Sequence, residues 1–205
     1  MLNVDKIKIA VLVSGGGTNL QALINAEKSG IIKSGKISLV LSNKEDAYAL
    51  TRAKNAGIKT ATVCKKDCAS ATEFEEKMIE ILDCEGVELI VLAGFMSILS
   101  ARFTNHFKDR IINVHPSLIP SFCGEGFYGL RPHMAALEYG VKVSGATVHF
   151  VNEIADGGRI IMQKAVEVFD TDTPEILQKR VMEEAEWIIL PAATEKVSRD
   201  ILLSK

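Results

Sequence analysis

The sequence predicts an α/β protein built on a mostly parallel, twisted sheet flanked by helices. Three observations carry that expectation. Strand-like and helix-like segments alternate through the first half of the chain, a rhythm that right-handed crossovers turn into a parallel sheet. "ELIVLAG" and "RIINVH" are near-continuous apolar runs, as expected of parallel strands covered on both faces. A glycine-rich stretch, "SGGGTNL", falls between the first strand and the first helix, where an open α/β sheet meets anions.

The elements follow in order. "KIAVLV" is a β-branched first strand. After the glycines, Leu20, Leu23 and Ile24 recur at helical spacing, and Gly30 is the expected stop. "KISLVLSN" is a second strand, "AYALTRAKNAG" a second helix ending at Gly57, and "KTATV" a weaker third strand. "SATEFEEKMIEILDCEG" opens with Ser70 and Glu73 at capping-box spacing and carries Phe74, Met78, Ile81 and Leu82 on one face. The two apolar runs are the fourth and fifth strands. Beyond His115 the texture changes: Pro116 to Pro132 is a long loop, and "HMAALEYG" is a short helix. "KVSGATVHFV" and "RIIMQKAVEV" alternate like antiparallel strands. A long terminal helix begins with Thr173 as N-cap and Pro174 at its first position, and Pro191 is expected to kink or divide it. The simplest organisation is one domain over residues 1–205, with a Rossmann-like phosphate-binding half at 1–110 and a catalytic and folate-binding half at 111–205.

The chain has 205 residues, 47% hydrophobic and 24% charged, which suits an ordinary globular protein. A net charge of −2 leaves no basic surplus for a nucleic-acid backbone. The opening "MLNVDKIKIAVLVS" lacks the apolar core and cleavage site of a signal peptide, and no apolar run is long enough to span a membrane. Cys64, Cys68, Cys84 and Cys123 form no CxxC pair and read as reduced thiols of a cytoplasmic protein. No His or Cys set has zinc-ligand spacing, so no metal is expected.

Which anion would "SGGGTNL" hold? A dinucleotide fingerprint fails, because its third glycine falls on Leu20 and the second strand ends in Ser42-Asn43 rather than an acid. A Walker loop fails because Gly17 is followed by Thr18-Asn19. What is left is a phosphate monoester held by Gly17, Thr18 and Asn19, or a plain tight turn with Thr18 or Asn19 as N-cap.

Asn113 and His115 are two apart at the end of the fifth strand, so they project to one face. "LAGFMSILS" ends the fourth strand, and "NEIADGGRI" places Asp156 before two glycines between the late strands. Strand ends gather at one rim, so these segments can share a cleft. A carboxylate beside a His favours the imidazolium. Asn113 with a protonated His115 could then stabilise an oxyanion. Ser117 is a nucleophile candidate only by nearness, so the chemistry suggested is direct acyl transfer between two bound substrates. The plainer alternatives are a structural His, an ordinary Asp-Gly-Gly turn, and core roles for Phe95, Met96, Ile98 and Leu99.

"VLVSGGGTNLQALI", "LVLSNKEDAYALTRAKNAGI", "ELIVLAGFMSILS", "INVHPSLIP" and "GATVHFVNEIADGGRII" resemble the phosphoribosylglycinamide formyltransferases, folate-dependent enzymes of purine synthesis. The resemblance runs from about Ile9 to Pro191. It implies 10-formyltetrahydrofolate as co-substrate and 5-phosphoribosylglycinamide as acceptor. It also implies Gly17, Thr18 and Asn19 at the substrate phosphate, and Met96, Ser97, Ile98 and Leu99, with Asn113, at the folate. Asn113, His115 and Asp156 match the catalytic trio, and Glu186 matches a substrate-contacting residue. The chain departs from the family at Ser97 and Ala71, where arginine is common, and in the longer loop "SFCGEGFYGLRPH". Two other classes stay open: a formyltransferase acting on a charged initiator tRNA, and a non-catalytic nucleotide- or folate-binding module.

Overall fold

The computed structural model describes residues 6–205; residues 1–5, where the expectation of no leader begins, lie outside the described residues. Seven strands form one sheet in the order β3-β2-β1-β4-β5-β6-β7. The strands are β1 (Ile7–Val13), β2 (Gly35–Ser42), β3 (Lys59–Thr62), β4 (Leu89–Leu92), β5 (Ile111–His115), β6 (Val143–Phe150) and β7 (Ile160–Glu167). The first five pair in parallel, and β6 and β7 join antiparallel. The helices are α1 (Thr18–Lys28), α2 (Tyr48–Asn55), α3 (Ala71–Cys84), α4 (Ala101–His106), α5 (Arg131–Tyr139), α6 (Pro174–Val181) and α7 (Trp187–Leu203).

The apolar runs have the predicted cause. Alternate residues of β1 serve different cores: Ile7, Ile9, Val11 and Val13 pack on one face, Ala10 and Leu12 on the other. Helices α1, α2, α6 and α7 cover the first face with Leu20, Leu23, Ala49, Leu177 and Leu190, while α3 brings Phe74, Met78 and Leu82 to the second. At α3 Ser70 caps as the spacing implies, accepting from the Glu73 amide, while Glu73 reaches back to the amide of Ala69, one residue before the cap, at 2.6 Å.

Two features differ from expectation. Helix α4 was not foreseen; Ser100 caps it, and the buried Glu75 receives both the amide and the hydroxyl of Ser100. The break in the terminal helix lies upstream of Pro191, which sits inside α7. The chain instead widens into a π turn at Met182–Glu186. A proline lacks the amide that would bond to the carbonyl four residues back, but helical geometry on either side survives that loss here.

Strand order reverses direction at β1, whose neighbours are β2 on one side and β4 on the other. In open α/β sheets the crevice beyond the carboxyl ends at such a point is where ligands bind. The loops after β1 and β4 both open there.

Candidate active site

The loop after β1 turns at Gly17, which is the N-cap of α1 with φ 73° and has no side-chain capping bond. Thr18 and Asn19 therefore lie inside the first turn rather than capping it. First-turn amides have no intrahelical partner, and the helix dipole adds positive character, so this end suits an anion. Glycine at 17 has a packing cause. A Cβ there would lie 2.6 Å from the Ala49 Cβ, whereas one at Gly15 or Gly16 would meet nothing within 4 Å. Helix α2 holds the loop, with the Ala49 amide donating to Gly15 at 3.0 Å and Arg52 Nε donating to Gly16 at 2.8 Å.

Asn19 and Glu186, far apart in sequence, meet at 2.6 Å, Nδ2 donating to Oε2. Glu186 closes the π turn and is buried; burial raises its pKa, against the hydrogen bond from Asn19. Across the crevice, the Met96 amide donates to Ser14 Oγ at 2.8 Å and ties the loop after β4 to the end of β1. Met96 and Ile98 are 53% and 74% exposed, and Ser97 Oγ accepts from Asn43 at 2.9 Å. Leu99 is different. Its side chain is buried in the core with Phe103, so only its backbone can serve the cleft.

Asn113 and His115 stand at the carboxyl end of β5, opposite His149 and Thr147 of β6. His115 is buried, with Nε2 donating to the Phe122 carbonyl at 2.9 Å and Nδ1 lying 3.4 Å from Asp156 Oδ2. Asp156 also accepts from the Gly124 amide at 2.8 Å, and its Oδ1 lies 3.5 Å from His149 Nε2. Asn113 Nδ2 is 3.2 Å from that same nitrogen. One carboxylate thus faces two imidazoles, with a carboxamide beside them. The segment holding Asp156 is more than an ordinary turn. Asp156 has φ 54°, a left-handed conformation that Asp tolerates better than most residues, and a Cβ at Gly158 would fall 1.7 Å from the Phe150 carbonyl, so this segment is packed tightly on the end of β6.

Burial is the largest influence on His115 and takes its pKa below the ordinary value, although Asp156 and the Phe122 carbonyl pull upward. This corrects the expectation that Asp156 keeps His115 protonated: desolvation of the ring outweighs the ion pair. Burial pushes Asp156 up. The His149 contact, the charge of His115 and the Gly124 amide outweigh burial and leave Asp156 below the usual carboxylate range. Ser117 is buried and its hydroxyl donates to the Ser121 carbonyl at 2.6 Å, so it is not set against a base.

His149 was missed in the sequence, although the alternation in "GATVHFV" places it with Thr147 on one face of β6. Elsewhere, ligand-type atoms of Glu45, Cys64 and Asp67 lie within 4.8 Å of one another. Glu45 there pairs with Lys66 at 3.3 Å.

A helix end suited to an anion, a crevice at the strand reversal and an Asn-His-Asp cluster lie together here, and the comparison with known proteins points the same way. Residues 7–194 match the family model described as formyl transferase. The chain belongs to the formyl transferase family. It is 45% identical over 184 residues to the phosphoribosylglycinamide formyltransferase of Haemophilus influenzae, covering 90% of this chain and 84% of that one. Within the family, its place is among the phosphoribosylglycinamide formyltransferases. It is also 46% identical to the trifunctional purine biosynthetic protein adenosine-3 of Gallus gallus, covering 96% of this chain and 19% of that longer protein. The crystal structure of glycinamide ribonucleotide transformylase 1 from Symbiobacterium toebii superposes with a TM-score of 0.89 at 41% identity, covering 95% of this chain and 89% of that one.

Proposed function

We propose that this chain transfers the formyl group of 10-formyltetrahydrofolate directly to the amine of 5-phosphoribosylglycinamide, a step of de novo purine biosynthesis in the cytoplasm. The cluster of Asn113, His115 and Asp156 at the carboxyl end of β5 carries the reading. The substrate phosphate binds at the N-terminus of α1, on the backbone of Gly17, Thr18 and Asn19. Glu186, held by Asn19, contacts the same substrate. The folate lies against Met96, Ser97, Ile98 and the backbone of Leu99. Residues 1–110 supply the phosphate site and residues 111–205 the catalytic groups, so the folate meets the acceptor where the halves join, in one working domain.

The amine attacks the formyl carbon, and the carbonyl electron pair moves to oxygen. Asn113 Nδ2 and His115 Nε2 donate hydrogen bonds to that oxyanion; the His115 bond passes to it from the Phe122 carbonyl. A neutral His115 still donates through Nε2–H. Asp156 accepts the amine proton, directly or through water, and the proton reaches the folate nitrogen as the carbon–nitrogen bond to folate breaks. The products are the formamide and tetrahydrofolate. Holding both substrates in one cleft supplies much of the rate. No step passes through a metal.

A steady-state assay with both substrates tests this. Formylglycinamide ribonucleotide and tetrahydrofolate should form in equal amounts, undiminished by a chelator. Formylation of a charged tRNA instead, or a rate that a chelator abolishes and one divalent ion restores, would overturn the reading.

A further inference from the structure

His149 is fixed by the protein alone. It is 1% exposed and sits directly across the ladder from Asn113. Its Nδ1 lies 2.8 Å from the Phe150 carbonyl. A carbonyl only accepts, so Nδ1 carries a proton, and in the neutral form of the ring Nε2 presents a lone pair. Two groups reach that lone pair: Asn113 Nδ2 at 3.2 Å and Asp156 Oδ1 at 3.5 Å. A carboxylate has no hydrogen to offer that lone pair, so in this form of the ring the amide, which is also the nearer group, makes the hydrogen bond.

This matters because a carboxamide has two nearly isosteric ends. A half-turn of the Asn113 side chain exchanges a donor for an acceptor, and only the donor stabilises an oxyanion. The His149 lone pair accepts Nδ2 and repels Oδ1. With Nδ2 facing His149, one N–H is used there and the second is left for the reacting oxygen. We propose that His149 is a positioning residue that selects the catalytic orientation of the Asn113 carboxamide. The inference rests on the proposed role of Asn113 as oxyanion donor.

A double-mutant cycle separates the two ideas. His149→Ala should lower kcat about tenfold, the loss of one orienting hydrogen bond, with little change in KM for either substrate. In the Asn113→Ala background the same change should alter kcat less than about twofold, since there is no amide left to orient. His149→Gln should recover part of the loss, because its Oε1 can accept from Nδ2. Equal cost of His149→Ala in both backgrounds overturns the inference but leaves the catalytic reading intact. An Asn113→Ala variant with wild-type kcat overturns both. Nitrogen NMR of the wild-type histidines provides a check independent of any variant's folding: the ring proton of neutral His149 is expected on Nδ1, and finding it on Nε2 overturns the inference.

Discussion

The Asp156 side chain shows how little separates a turn residue from a functional one. Its left-handed backbone suits Asn as well as Asp, and an Asn oxygen can still accept from the Gly124 amide. Asp156→Asn is therefore a change of charge at nearly constant shape. It should lower kcat by about a hundredfold or more, the usual contribution of a positioned acid–base group, and leave affinity for the phosphoribosyl substrate unchanged. Asp156 is one of the two influences that raise the His115 pKa against burial. Removing its charge should move the His115 limb of the pH–rate profile to lower pH. Wild-type turnover across the pH range would make Asp156 a turn residue only. Strand periodicity made legible that Asn113 and His115 share a face, whereas their grouping with Asp156 came from the expectation that strand ends meet at one rim and from the family resemblance. The downward pull of burial on the His115 pKa was not legible, because desolvation depends on the loop that covers it.

At the scale of elements, the strands and most helices followed from periodicity and caps, as Ser70, Thr173 and the glycines after α1 and α2 show. The N-cap of α1, the reason for Gly17, helix α4 and the π turn were decided by contacts between distant segments: Ala49 against Gly17, Glu75 under Ser100, Asn19 on Glu186. Helix α5 holds a further consequence. His133 is 1% exposed, and burial, with a smaller contribution from His115, lowers its pKa to about 4. Between about pH 6.5 and 4 the unfolded chain therefore binds a proton that the native protein refuses. The stability this group supplies is complete above pH 6.5 and falls as pH drops toward 4, by up to about 3 kcal/mol. Urea unfolding of wild type and His133→Leu across that range checks it. The wild type should lose more stability on acidification, and parallel curves would show that His133 titrates normally in the native state. The raised pKa of Glu186 acts in the opposite sense, stabilising the fold below the native pKa and losing that effect as pH rises through it, but it is common to both proteins.

For the whole molecule, the reversal of strand order at β1 is the organising fact. It places a helix N-terminus, an exposed Met96–Ile98 edge and the ends of β5 and β6 around one crevice. Two ligands can then meet without the enzyme becoming a covalent carrier, and the geometry of Ser117 agrees, since its hydroxyl is spent on the Ser121 carbonyl. Direct transfer is the central claim, and a rapid-quench experiment with 10-formyltetrahydrofolate labelled in the formyl group tests it most directly. The label should pass to the glycinamide amine when the phosphoribosyl substrate is present, and the acid-precipitated protein should carry none when it is absent. Labelled protein that forms without the acceptor, and then delivers its label to added acceptor at the turnover rate, would contradict it.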